Sequence, residues 1–101
     1  MKALITAVVL STLCAATVAH AGPIHARQVR QDQRIDQGVS SGALTAAETR
    51  VLRAEQGQIA RTRNRALADG SMSPREATHI TREQNQASRD IYRLKHNALM
   101  L

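Results

Sequence analysis

The sequence predicts an all-α protein: three antiparallel helices, in which a helical hairpin is joined by a weaker N-terminal helix. Three observations carry this prediction. Two segments 28 residues apart, "GALTAAETRVLRAEQGQ" (42–58) and "GSMSPREATHITREQNQ" (70–86), share the signature of a helix end followed by a helix start. Apolar residues in the surrounding stretches recur at three- and four-residue steps, the period of an amphipathic helix. The connections between those stretches are about four to six residues, short enough to make successive helices antiparallel neighbours.

Residues 1–21 read as an export signal. Met1 and Lys2 give a positive start, "ALITAVVLSTLCAATVA" is an apolar run, and Ala19 and Ala21 put small residues where a signal peptidase cleaves. Ala and Thr dilute the run and no basic stop follows it closely, unlike a retained anchor. Leu13, not a small residue, precedes Cys14, which argues against lipidation. Cleavage before Gly22 would leave one helical domain, 22–101, with 13 basic residues against 8 acidic ones. Cys14 departs with the signal, so thiol chemistry and cysteine metal sites are excluded from the mature chain. The expected compartment is the periplasm.

The first helix is expected over about Ile24–Ser40. Its best stripe, Ile24, Gln28, Gln31, Ile35 and Val39, is half polar. Such a helix covers the hairpin loosely, or frays and leaves the hairpin free to pair with a second copy. The core is thin throughout, with 14 Leu, Ile and Val and no Phe or Trp between residues 22 and 101. That share lies below the roughly 20% at which a charged chain tends toward disorder, so the fold is marginal or completed by a partner, a homodimer being one such completion.

The two corners follow. Gly42 and Gly70 suit the left-handed conformation that ends a helix. Thr45 and Ser73 are N-cap residues, and Glu48 and Glu76, three positions on, complete capping boxes. Leu44 and Met72 precede the caps, as a hydrophobic staple requires, and Pro74 fits the first helical position. Identities at Gly42/Gly70, Glu48/Glu76, Glu55/Glu83, Gln56/Gln84 and Gln58/Gln86 point to a 28-residue internal repeat, one unit used twice. The second corner superficially resembles the back half of an EF-hand loop. Its leading ligand positions hold Arg65, Leu67 and Asp69, where calcium needs three oxygen donors. These corners are read as structural.

Helix two, about Ala46–Ala68, presents Thr49, Leu52, Gln56, Ile59, Arg63 and Ala66 along one seam. Helix three, about Pro74–Ala98, presents Ala77, Ile80, Gln84, Ala87, Ile91, Leu94 and Ala98. Gln56 and Gln84 hold equivalent seam positions. They either hydrogen-bond across the interface and fix its register, or lie at a solvated edge.

No nucleophile–base–acid set is legible, so the chain does not read as an enzyme, and no cofactor is implied. Glu76, His79 and Glu83 share one face of helix three at helical spacing and form the candidate metal site, against the alternative of a solvated face with an i,i+4 pair. His25 and His96, from different helices, are a second candidate ligand pair. Charge carries the larger signal. Twelve of the 13 basic residues beyond position 21 are Arg, including Arg61, Arg63 and Arg65 in "RTRNR", and Arg89, Arg93 and Lys95 beside Tyr92 in "SRDIYRLKH". Guanidinium groups grip phosphate and carboxylate bidentately, and Tyr92 adds an aromatic contact. Nucleic acid is the usual partner of such a balance, but export removes it from reach. Anionic surfaces of the envelope remain, alongside the alternative that the charge only keeps a thin-cored protein soluble.

An export signal, a short basic helical chain and helices opened by "LTAAE" and "MSPRE" together resemble the Spy/CpxP group of periplasmic proteins. Leu44-Thr45 and Met72-Ser73 match that group's Leu-Thr-x-x-Gln helix starts, with Glu48 and Glu76 standing where Gln is expected. The resemblance implies a cradle-like helical dimer that binds unfolded chains or stress-sensor domains, and zinc in some members. The expectation is therefore an exported helical interaction protein, chaperone-like or tied to envelope stress, with an unfolded or envelope protein or an anionic envelope surface as partner. The alternatives are a periplasmic metal-binding protein and a structural protein with no ligand.

Overall fold

The computed structural model of the chain describes the backbone of residues 2–97 and the side chains of residues 21–97. The described residues form three helices: α1 (Lys2–Ser40), α2 (Ala46–Leu67) and α3 (Pro74–Asn97). The all-α, three-helix expectation holds, and the hairpin and its two corners lie where the sequence puts them. One boundary differs. α1 begins at Lys2 rather than Ile24 and runs through Gly22 and Pro23 without a break. Pro23 removes a single backbone donor, and the Ala-rich stretch before it has high helix propensity. The expected export signal falls mostly on residues whose side chains lie outside the described set, as does Ala98.

Both corners are built alike. Gly42 and Gly70 take positive φ of 78° and 96°, which only glycine adopts without strain. At the first, Thr45 Oγ1 accepts the Glu48 N–H at 3.1 Å while Glu48 Oε1 accepts the Thr45 N–H at 2.9 Å. At the second, Ser73 Oγ accepts the Glu76 N–H at 3.1 Å and Glu76 Oε1 accepts the Ser73 N–H at 2.9 Å. Each reciprocal pair satisfies two backbone donors that a helix start otherwise leaves open. Leu44 and Met72 then drop into the bundle and are buried.

The interior is two apolar clusters with a polar layer between them. One holds Ile24, Ile59, Ala66, Met72, Ile80 and Ala87. The other holds Ile35, Leu44, Leu52 and Ile91, with Leu94 against it. Between them lie Gln28, Gln31, Gln56 and Gln84, all buried. The description of α1 as a loose cover is therefore corrected. It supplies Ile24, Ile35 and two of the four buried glutamines, and it packs against both α2 and α3. The stripe is corrected at its end as well. Val39 is 47% exposed, and the buried face runs on through Gly38. The reason is a close approach: a Cβ on Gly38 would lie 2.6 Å from Leu44 Cδ1, so the missing side chain makes room for Leu44.

Candidate functional site

The polar layer decides what the surface residues are free to do. Gln28 Nε2 donates to the Gln56 carbonyl at 3.1 Å, and Gln31 Nε2 to the Gln84 carbonyl at 2.7 Å. Gln84 Nε2 donates to the Ile24 carbonyl at 2.8 Å, and Gln56 Nε2 to Gln31 Oε1 at 2.9 Å. Every helix is thus tied to another through a side-chain amide. Gln56 and Gln84 occupy the interface, not a solvated edge. Gln28, Gln56 and Gln84 fall at 28-residue steps, as do Ile24, Leu52 and Ile80 ahead of them. The spacing that links the two corners therefore extends into α1.

Arg63 is drawn into this layer. Its Nη1 donates to Gln28 Oε1 at 2.9 Å and contacts His25 Nδ1 at 3.0 Å. It acts as a clasp between α1 and α2, so of the three arginines in that stretch it is the one engaged with another helix. Arg61 and Arg65 remain exposed; Arg61 reaches only Gln58. The second candidate stretch sits at the other end of α3. Arg89 bonds Gln86, Arg93 pairs with Asp90 at 3.2 Å, and Tyr92 stacks on His96 with ring centroids 3.9 Å apart. Lys95 Nζ donates to the Arg34 carbonyl at 3.1 Å, so it ties α3 to α1. The two arginine stretches flank different apolar clusters and do not merge into one patch.

The candidate metal residues do not converge. Glu76 Oε1 is taken by its cap, and His79 Nε2, on an exposed side chain, stands 3.8 Å from Oε1 of the half-buried Glu83, an i,i+4 pair. His25 is held by Arg63 near the start of the bundle, while His96 Nδ1 lies 2.6 Å from the Tyr92 carbonyl near the far end of α3. Among the described residues no group of three or more His, Cys, Asp and Glu side chains could hold a metal ion. The helical spacing of Glu76, His79 and Glu83 gave one shared face, and on that face Glu76 Oε1 closes the capping box while His79 pairs with Glu83.

A carboxyl pair went unnoticed in the sequence. Glu55 on α2 meets Asp90 on α3 across the seam. Burial first, then the hydrogen bond and the charge of Asp90, push the Glu55 carboxyl up to about 7, with Arg93 opposing. Asp90 moves the other way: burial works to raise it, but hydrogen bonds from Glu55, Arg93 and Gln86 hold it below its ordinary value. Below about pH 7 Glu55 holds its proton, and its O–H then donates a hydrogen bond to the Asp90 carboxylate. Pairing of two acids 35 positions apart has no sequence signature; only the helix alignment creates it.

Two surface depressions border the α2–α3 seam. A small one is lined by Glu55, Gln58, Glu83 and Gln86. A larger groove, about 420 Å³, lies at the second corner between Thr62, Arg65, Ala66, Arg75, Glu76 and His79. Arg75 was not singled out in the sequence. Its signal was available: a cation in the first turn of a helix opposes the helix dipole, an arrangement with a local cost. No protein-family model, curated protein or solved structure matches the chain.

Proposed function

We propose that the protein is an exported, periplasmic helical interaction protein that binds unfolded or envelope polypeptide in a chaperone-like way. The observation that carries this reading is a cationic surface left without acidic partners on an internally tied frame. Among the described residues, Arg50, Arg65 and Arg75 make no ion pair or side-chain hydrogen bond, and Arg61 and Arg89 bond only neutral glutamines. Arg53 and Arg93 are the arginines that pair with carboxylates there. Guanidinium groups that are neither paired nor packed are available to carboxylate or phosphate on a partner. The likeness of the helix starts to the Spy/CpxP group supports the same class of partner.

Light scattering of an unfolded client protein tests it. Stoichiometric amounts of the protein should suppress aggregation at low salt, and 1 M salt, where the Debye length is about 3 Å, should abolish the effect. Absence of suppression at low salt would leave a structural protein with no client. Binding to anionic vesicles without any effect on the client would make the envelope surface the partner instead.

A further inference from the structure

At the second corner, unpaired cations from two helices face a shared groove. Arg65 comes from the last turn of α2 and Arg75 from the first turn of α3. Both are exposed, and neither has a side-chain partner among the described residues. Glu76 also lines the groove, but its Oε1 already accepts the Ser73 N–H and completes the cap. His79 stands on the rim beside Glu83. Ala66 is 3% exposed and gives the groove an apolar wall.

The first corner serves as an internal control. Twenty-eight positions earlier, the counterparts of Arg65, Ala66, Arg75 and His79 are Gln37, Gly38, Ala47 and Val51. There Leu44 closes over Gly38, and Arg34, the counterpart of Thr62, is spent on Ser88 at 2.8 Å. Two corners with the same caps and the same glycine turns thus differ in their cations. Turning a corner needs neither Arg65 nor Arg75, and Arg75 is placed against the helix dipole. Two guanidinium groups face the groove against the one carboxylate of Glu76; that excess of positive charge favours an anionic ligand, and two guanidinium forks match a carboxylate.

We propose that this groove is a carboxylate-binding subsite for an acidic segment of an unfolded polypeptide, with Arg65 and Arg75 gripping the carboxylate and the largely apolar lining of the groove receiving an adjacent apolar side chain. The proposal rests on the polypeptide-binding reading given above and names the site and the chemistry of the bound segment.

Fluorescence anisotropy of a labelled peptide alternating Glu and Leu, titrated with the full chain, tests it. Combining Arg65→Gln with Arg75→Gln should weaken binding about tenfold or more, the change expected from losing one charge-assisted hydrogen bond. The pair Arg30→Gln with Arg82→Gln removes the same charge elsewhere and should change binding less than about twofold; helicity is compared by circular dichroism in both. A Gln-Leu peptide should bind poorly to the wild type, and inorganic phosphate should compete with the Glu-Leu peptide. Equal weakening by the two double variants would overturn the site in favour of general electrostatic attraction, and unchanged binding in the groove variant would overturn it outright. A groove variant that loses affinity for anionic vesicles but not for the peptide would overturn the choice of polypeptide. The two readings fail separately. Client suppression that survives in the groove variant removes the subsite and keeps the chaperone-like reading, whereas tight peptide binding by a wild type that suppresses no aggregation does the reverse.

Discussion

Glu55 and Asp90 show how a single contact sets a response that neither residue has alone. The folded carboxyl of Glu55 sits at about 7 against an ordinary 4.5, so between those values the folded state holds a proton the unfolded state has released. Stability therefore falls as pH rises through that window and levels off above it. Asp90, held below its ordinary 3.8, contributes the opposite slope, a stability lost as pH falls through its folded value. The melting temperature should accordingly peak in mildly acidic solution. Glu55→Gln replaces the titrating O–H with an N–H that donates to Asp90 at every pH. Thermal denaturation followed from about pH 5 to 8 should show a flatter profile in this variant and a higher melting temperature at the alkaline end. An unchanged slope would mean that the pair does not share a proton.

At the scale of the helices, the glutamine layer takes the place a third apolar cluster would fill. Net hydrogen-bond contributions of about 0.5–1.5 kcal/mol compare poorly with about 1.5–3 kcal/mol for a buried leucine, so the amides are not the most stabilising choice. Gln56 Oε1 is even buried without a partner. What amides supply is alignment: their bonds reach particular carbonyls on neighbouring helices, and a slipped helix leaves them unmade. Replacing Gln31, Gln56 and Gln84 together by Leu should hold or raise the melting temperature while sedimentation shows mixed species in place of one. A lower melting temperature with one unchanged species would assign the layer to stability, not register.

For the whole molecule, the described interior draws its residues from Ile24 onward, and both apolar clusters and the polar layer lie within 24–94. A chain beginning at Gly22 should therefore keep the three-helix fold, with Pro23 then in the first turn, where a missing donor costs little. Circular dichroism and thermal denaturation of the Gly22–Leu101 protein should match those of the full chain per helical residue. Loss of cooperative unfolding would show that residues before Gly22 hold the bundle together. Among the described residues, no helix is long and apolar enough to cross a membrane.

By itself the sequence determined the local chemistry: where helices stop and start, which glycines turn, and which face of α2 and α3 is buried. Those features are written in neighbouring residues, because a cap or an i,i+4 stripe closes within about one helical turn. It also determined the excess of arginine, though not which arginines are free. Only the tertiary structure decided that Gly38 rather than Val39 faces the core, that Arg63 is a clasp and Arg75 a groove residue, and that Glu55 meets Asp90. Each of these depends on the rotation and offset of one helix against another. Those two quantities are set by how Leu44 seats on Gly38 and how four glutamines find their carbonyls across the bundle. Side-chain fit over long separations along the chain has no periodic signature, which is why α1, half polar in its stripe, looked loose until its amides were seen to be buried.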